Sequence, residues 1–367
     1  MKNIDYITFN DVYNGIYQSQ VIDVVEHLRI ELDQEVRLVA FVPLRLWFSQ
    51  RKLIKSKLKG TKVYPIPGGL KDWARAKKLL KIITKSTNAI CRGPLAFSVA
   101  HGLYKKCVYD GRAAVSAEVK EYNVTGSDFL DQALITEELN AVKNADFKIA
   151  VSQKLVEFWE GNLKISVPIN SYSVIPCTIS SLANIEERKN DKTDAVKLVY
   201  AGGTGAWQSF DTVTELLDKA LDIQDNLEVL FLSKPHKSIE ELIQKFPNRV
   251  KCKWVGHHEV FEQLQSCDYG ILIRDKKITN KVASPVKFAE YLNAGLKVLI
   301  SEELGDFTAF TEINQAGVVI KGDLPYLEKV DADEKIKMQN LSKSYFTKSS
   351  KTVKEGYLKL IQSLNPR

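Results

Sequence analysis

The run Val282-Ala283-Ser284-Pro285-Val286-Lys287-Phe288-Ala289-Glu290-Tyr291-Leu292-Asn293-Ala294-Gly295 holds the residues best suited to chemistry. Ser284 is a favourable N-cap, Pro285 suits the first helical position, and Gly295 suits the stop before the apolar stretch at 297–300. The spacing predicts a helix of about ten residues whose amino end opens at a strand end. Free amides and the positive end of the helix dipole attract an anion there, and Lys287 adds a charge in the first turn. Glu290, three residues on, can share that face. Arg274 closes the preceding apolar strand, and Lys276, Lys277 and Lys281 lie in the loop that feeds the helix. Five basic residues then converge on one helix mouth, which suits a diphosphate. As structure alone, the same run is an ordinary capped helix with a surface Lys–Glu pair worth about 0.3–0.5 kcal/mol.

A second signal is Tyr200-Ala201-Gly202-Gly203-Thr204-Gly205-Ala206-Trp207-Gln208-Ser209-Phe210-Asp211, a strand, a glycine-rich turn and a helix. It misses the G-x-G-x-x-G dinucleotide spacing because position 208 is Gln, yet its glycines let a ligand approach the backbone closely. In the first half, Asn14-Gly15 is a turn signal after a strand, and Asp110-Gly111-Arg112 follows another, with Glu118 close behind. His101 could act as a base, although a lone His in a helix is more often structural. Asp331-Ala332-Asp333 lies in a late polar stretch that reads as a solvated turn.

Positioning these groups requires a scaffold of many short strands. Apolar, β-branched runs occur at Tyr6–Phe9, Val36–Val42, Lys62–Ile66, Ala89–Cys91, Cys107–Tyr109, Phe147–Val151 and Tyr172–Ile175. A second series follows at Lys197–Ala201, Leu227–Leu232, Val250–Val255, Tyr269–Ile273, Lys297–Ile300 and Gly317–Ile320. Helical patterns lie between them, the mark of βα units and parallel sheets. The fold class is α/β, with two tandem parallel-sheet domains that carry ligands at the carboxyl ends of their strands and between domains. The polar stretch 180–196 is the expected linker, between domains at 1–179 and 197–334. Residues 335–367 read as one or two closing helices.

The 367-residue length fits two domains at roughly 100–200 residues each. With 44% hydrophobic and 26% charged residues, the chain is neither disordered nor disulfide-stapled. No run of about 18 uncharged apolar residues and no basic-then-apolar leader occurs, so a cytoplasmic protein is expected. Cys91, Cys107, Cys177, Cys252 and Cys267 are odd in number and form no C-x-x-C pair, as buried thiols in a reducing compartment would.

The formal charge of +7 is unevenly spread. Residues 44–106 hold 16 basic residues against the single acid Asp72, a block of +15, which leaves −8 for the rest. Nucleic acid, anionic lipid and phosphorylated substrates are all compatible with such a field. Residues 45–59 interleave aliphatic, aromatic and basic side chains as an interfacial helix does, or as the solvated face of an ordinary one. No nucleic-acid-binding motif is present, so nucleic acid is not the expected partner.

Taken together, these motifs resemble GT-B glycosyltransferases, specifically the large retaining family 4. The segment 284–301 is similar to that family's nucleotide-sugar helix. The Gly202–Gly205 loop, Trp254-Val255-Gly256-His257 and 267–273 resemble further family segments in the same order. The resemblance implies two Rossmann-like domains facing a cleft, with the C-terminal segment 335–367 crossing back onto the first domain. It implies transfer of a sugar from a nucleotide-diphosphate sugar to a glycan or lipid-linked saccharide acceptor, with retention and without metal or cofactor. Glu290 matches the second glutamate of the family's E-x7-E motif and would bond the ribose hydroxyls. The amides of Val286 and Lys287 match its diphosphate turn. Gly203, Thr204, Gly205, Gly256, His257 and Ser284 complete the expected donor set. Val282 stands where the first glutamate belongs, and no basic residue occurs between Tyr200 and Asp218, where the family places an Arg and a Lys. Arg274, Lys281 and Lys287 are expected to replace them, with Arg274 and Lys281 acting on the leaving diphosphate. On the acceptor side, Asp110-Gly111-Arg112 resembles the Asp-x-Arg segment of bacterial polysaccharide transferases. Asn14, Gly15, Asp110 and Arg112 are then acceptor candidates, and Glu118 is a catalytic candidate. The basic segment 45–59 would face an anionic inner membrane surface. A catalytically silent nucleotide-sugar or glycan-binding module is the alternative, motivated by Val282.

Overall fold

The computed structural model describes residues 3–179 and 193–365, apart from the side chains of His257 and His258. The expected linker at 180–196 lies mostly outside the described residues. The chain divides into two compact units, Met1–Ser180 with Lys351–Arg367, and Ser181–Ser350.

The first unit is built on seven parallel strands: β1 (Ile4–Phe9), β2 (Val36–Pro43), β3 (Lys62–Ile66), β4 (Asn88–Arg92), β5 (Lys106–Gly111), β6 (Phe147–Ala150) and β7 (Tyr172–Val174). Their order is β3-β2-β1-β4-β5-β6-β7. Strand β1 is buried along its whole length, as the near-continuous apolar run of a central parallel strand requires. Its one charge, Asp5, is satisfied at the amino end of the sheet. The carboxylate accepts from both Nε and Nη2 of Arg37 at 2.8 Å, from Ser86 at 2.8 Å and from Tyr104 at 2.6 Å. Removing one partner of a buried ion pair costs about 3–5 kcal/mol, so this cluster is structural.

The last helix, Lys351–Leu364, returns to this unit and buries Val353, Tyr357, Leu360 and Leu364 in the core formed with β1, β2 and β6. Those positions recur every three or four residues, the apolar stripe of a core-facing helix. Gly356 allows the close approach, since a Cβ there would lie 2.8 Å from Ile175.

The second unit holds six parallel strands: β8 (Val196–Ala201), β9 (Leu227–Leu232), β10 (Val250–Lys253), β11 (Tyr269–Leu272), β12 (Lys297–Ser301) and β13 (Gly317–Ile320), in the order β10-β9-β8-β11-β12-β13. The helix Ala332–Tyr345 belongs here. Ser342 Oγ donates to the Ala289 carbonyl at 3.1 Å, and Lys335 pairs with Asp268 at 3.0 Å. The closing segment expected from residue 335 is therefore split, and only the part from Lys351 packs on the first unit.

In each sheet the strand order reverses once, between β1 and β4 and between β8 and β11. The carboxyl ends of those strand pairs are the places where doubly wound sheets bind ligands.

Candidate functional site

In the second unit, the reversal point carries the glycine loop after β8 and Arg274 after β11. The helix Val286–Asn293 enters beside them, held by one aromatic residue. Tyr291 is wholly buried; its hydroxyl accepts from the Ala201 amide at 3.0 Å and donates to the Ile271 carbonyl at 3.3 Å. Position 270 must be Gly, because a Cβ there would overlap the Tyr291 ring. Gly295, with φ +82°, ends the segment as expected. The cap differs by one residue from expectation. Pro285 occupies the N-cap position with extended backbone, and Ser284 lies buried just outside the helix.

Arg274 and Lys287 are each only 8% exposed, and both reach the same atom. Gln208 Oε1 accepts from Arg274 Nη2 at 3.3 Å and from Lys287 Nζ at 3.0 Å. Arg274 also donates to Asn280 Oδ1 at 3.4 Å, while Lys287 Nζ lies 4.6 Å from the Tyr200 ring centre. Two cations bonded to one neutral oxygen sit within roughly 6 Å of each other, a repulsion of about 3 kcal/mol at an effective dielectric near 20. Burial first, and then the Arg274 charge, push the Lys287 ammonium down to about 7, against a smaller opposing pull from Glu290. Among the described residues no carboxylate forms an ion pair with Lys287. Gly202, with φ +138°, leaves its Cα face open to the ammonium; a Cβ there would lie 3.1 Å from Nζ. The first-turn amides of Val286 and Lys287 have no intrahelical acceptors. The arrangement has the chemistry to hold an anion at a strand-reversal point.

Two of the loop cations do not join it. Lys281 is half exposed and pairs with Glu303 at 2.6 Å, and Lys276 pairs with Glu302 at 2.7 Å. The loop 302–305 is pressed onto the feeding loop, for a Cβ on Gly305 would overlap the Ala283 carbonyl. These pairs clip two loops together, so the expected convergence of five cations loses Lys276 and Lys281, while Arg274 and Lys287 meet. Gln208, which the sequence offered only as the residue breaking a glycine motif, is the acceptor that holds both. Gly203 and Thr204 are exposed on the loop, whose shape is set by the Tyr200 hydroxyl donating to the Gly203 carbonyl at 2.6 Å. Gly205 is partly covered. Glu290 is half-buried on the same helix as Lys287. Gly256 caps the helix His257–Gln265, with its amide donating to Glu259 at 2.8 Å. Val282 is 3% exposed, an apolar side chain turned into the unit.

In the first unit, Asn14 is used as a cap, its side chain accepting from the Tyr17 amide at 2.9 Å, with Gly15 opening the short helix behind it. Asp110 is fully buried and bound by Arg112 at 2.6 Å and by the Tyr6 hydroxyl at 2.7 Å. That pair is internal to the unit and also feels Tyr357 of the last helix. Glu118 is half-buried on the helix Val115–Tyr122, and burial raises its carboxyl pKa. His101 lies where the helix Pro94–Ala100 has already run from the carboxyl end of β4 toward the opposite end of the sheet, with its ring stacked on Phe97. It is too far along to serve a ligand at the strand ends. Arg92 and Asp11 face each other at 3.7 Å across the β1/β4 reversal.

Two tandem doubly wound parallel sheets define the GT-B fold class. Solved structures carry the same architecture from end to end. A glycosyltransferase from Rickettsia africae ESF-5 matches with a TM-score of 0.68 over 100% of this chain and 99% of that one, at 14% identity. TarM matches with a TM-score of 0.69 over 100% and 99%, at 11% identity; the S. aureus protein is also known as a mutant complexed with fondaparinux, α-GlcNAc-glycerol and UDP. A putative UDP-N-acetylglucosamine 2-epimerase from Listeria monocytogenes matches with a TM-score of 0.55 over 100% and 92%, at 11% identity. No family model matches the chain, and no curated protein matches it by sequence. The chain has the GT-B fold.

Proposed function

We propose that this chain is a glycosyltransferase that moves a sugar from a nucleotide-diphosphate sugar to a glycan or lipid-linked saccharide acceptor. The observation that carries the reading is the Arg274–Gln208–Lys287 cluster, two buried cations on one neutral acceptor beside an open glycine. A donor diphosphate supplies the negative charge that relieves their repulsion. The UDP held by the S. aureus TarM mutant is a ligand of this class. As the bond between the anomeric carbon and the diphosphate oxygen breaks, charge grows on that oxygen, and Arg274, Lys287 and the first-turn amides stabilise it. Glu290 bonds the ribose hydroxyls. In a retaining reaction the departing diphosphate takes the proton of the acceptor hydroxyl, and the new bond forms on the face that was vacated. The two cations offset the diphosphate charge that a metal would otherwise neutralise, so transfer proceeds in excess EDTA. Five cysteines outside any disulfide among the described residues support a reducing, cytoplasmic setting.

The test is transfer from a panel of nucleotide sugars in EDTA, with the anomeric configuration of the product read by NMR. Retention supports the reading. Inversion would require a protein base, with Glu118 the candidate whose carboxyl is already raised. The buried Val282 favours a second reading, a silent module that binds a nucleotide sugar. Binding of donor without release of nucleoside diphosphate on long incubation would establish it.

A further inference from the structure

The basic block of the first unit is not one surface. Lys77 Nζ donates to the His101 carbonyl at 2.7 Å, and Lys106 bonds the Ser363 carbonyl, so these charges serve the fold. The helix Trp47–Lys57 and the turn Leu44–Leu46 before it are different. The inner side of this segment is pinned: Ile54 and Leu58 are buried in the core, and Trp47 Nε1 donates to the Val63 carbonyl at 3.2 Å. The outer side carries Arg45, Arg51, Lys52, Lys55, Lys57 and Lys59, all exposed, with no acid between residues 44 and 59. Among the described residues none of these six makes an ion pair, whereas exposed lysines of the second unit do, Lys245 with Asp218 and Asp222, and Lys219 with Asp323. Phe48, Lys52 and Lys55 follow at helical spacing along one face, and Phe48 is 77% exposed with Leu44 at 47% a turn earlier. Exposed cations without ion pairs around exposed apolar side chains match a surface that is anionic outside and apolar beneath.

We propose that residues 44–59 dock this chain on an anionic lipid bilayer, with Phe48 and Leu44 entering the headgroup region and the six cations lying over lipid phosphates. This inference is independent of the donor-site reading, since it concerns only the first unit. It has a positional consequence. Gln50 Oε1 on the same helix accepts from the Tyr13 amide at 2.7 Å, which ties the loop after β1, with Asp11 and Asn14, to the docked helix. An acceptor carried in the membrane is then presented at the strand ends of this unit.

Flotation of the full chain with vesicles tests it, using phosphatidylcholine alone and phosphatidylcholine mixed with phosphatidylglycerol. Binding is expected only to the mixed vesicles and is expected to weaken with salt. At about fivefold in partitioning per charge near an anionic surface, K52A/K55A binds about 25-fold more weakly. F48S keeps every charge and also weakens binding, which separates a bilayer from a simple polyanion. Thermal melts and nucleoside-diphosphate affinity of the variants, unchanged from the parent, exclude misfolding. Equal binding to both vesicle types, binding to neither, or full binding by K52A/K55A overturns the proposal. So does F48S with parental vesicle binding that RNA competes away, which would make the strip a nucleic-acid surface.

Discussion

If Lys287 is held near neutrality by its surroundings, diphosphate binding must draw a proton into the site. The free ammonium titrates at about 7, against an ordinary value of 10.5. A bound diphosphate supplies the missing counter-charge and returns the group toward its ordinary value. Arg274 stays charged throughout. The protonated fraction of free Lys287 is one half at pH 7 and about one in a hundred at pH 9, so affinity for UDP or GDP falls about 50-fold over that window. The loss amounts to about 2.3 kcal/mol. The phosphates themselves are already ionised there, with a second pKa near 6. The sign follows from linkage: the bound state holds more protons, so raising the pH disfavours it. Calorimetry in buffers of different ionisation enthalpy at pH 8 reads the uptake directly, at about 0.9 proton per nucleotide. K287M binds more weakly and loses both the uptake and the slope. A wild-type affinity that is flat from pH 7 to 9 without proton uptake, or a slope that persists in K287M, refutes the coupling.

The free protein carries the matching signature in its stability. The folded value of Lys287 lies below the unfolded one, so stability rises with pH between about 7 and 10.5, and K287M flattens that rise in urea titrations. Arg274 and Lys281 separate cleanly. R274A removes a charge-assisted contact worth about 1.5–3 kcal/mol and lowers nucleoside-diphosphate affinity tenfold or more by calorimetry, with an unchanged affinity counting against the site. K281A removes only an exposed pair with Glu303, so its affinity stays within about twofold of the parent. G270A forces a methyl into the Tyr291 ring and costs about 1–3 kcal/mol, seen as a lowered melting temperature; a melt identical to the parent's would show that the helix Val286–Asn293 is not held as described.

Much of the scaffold was legible because buried parallel strands are apolar on both faces and cannot hide in the sequence. The run 269–273 and the run 297–300 appear as β11 and β12 within a residue or so. Charge placement was less legible. Lys281 and Lys287 look alike as letters, yet one finds Glu303 across a loop contact and the other is buried against Tyr200, and neither partner is near in sequence. Gln208 was passed over for a related reason: a neutral amide has no spacing signature, and its role depends on two cations, one after β11 and one on the helix Val286–Asn293, far along the chain. Asp110 and Arg112 were visible as a pair, but their two-residue spacing at a strand end does not say whether they face a ligand or each other. Tyr6, from β1 two strands away, decides it by donating to the carboxylate.

The return of the helix Lys351–Leu364 to the first sheet bears on how the protein is made. The core around β1 and β2 is complete only when Val353, Tyr357, Leu360 and Leu364 are in place. During synthesis the strands of the first unit leave the ribosome early, yet wait for residues translated after the entire second unit before their apolar surface is covered. The second unit, contiguous from 181 to 350, can close first. Completion of the first core thus comes last in chain order, after the second unit has been translated.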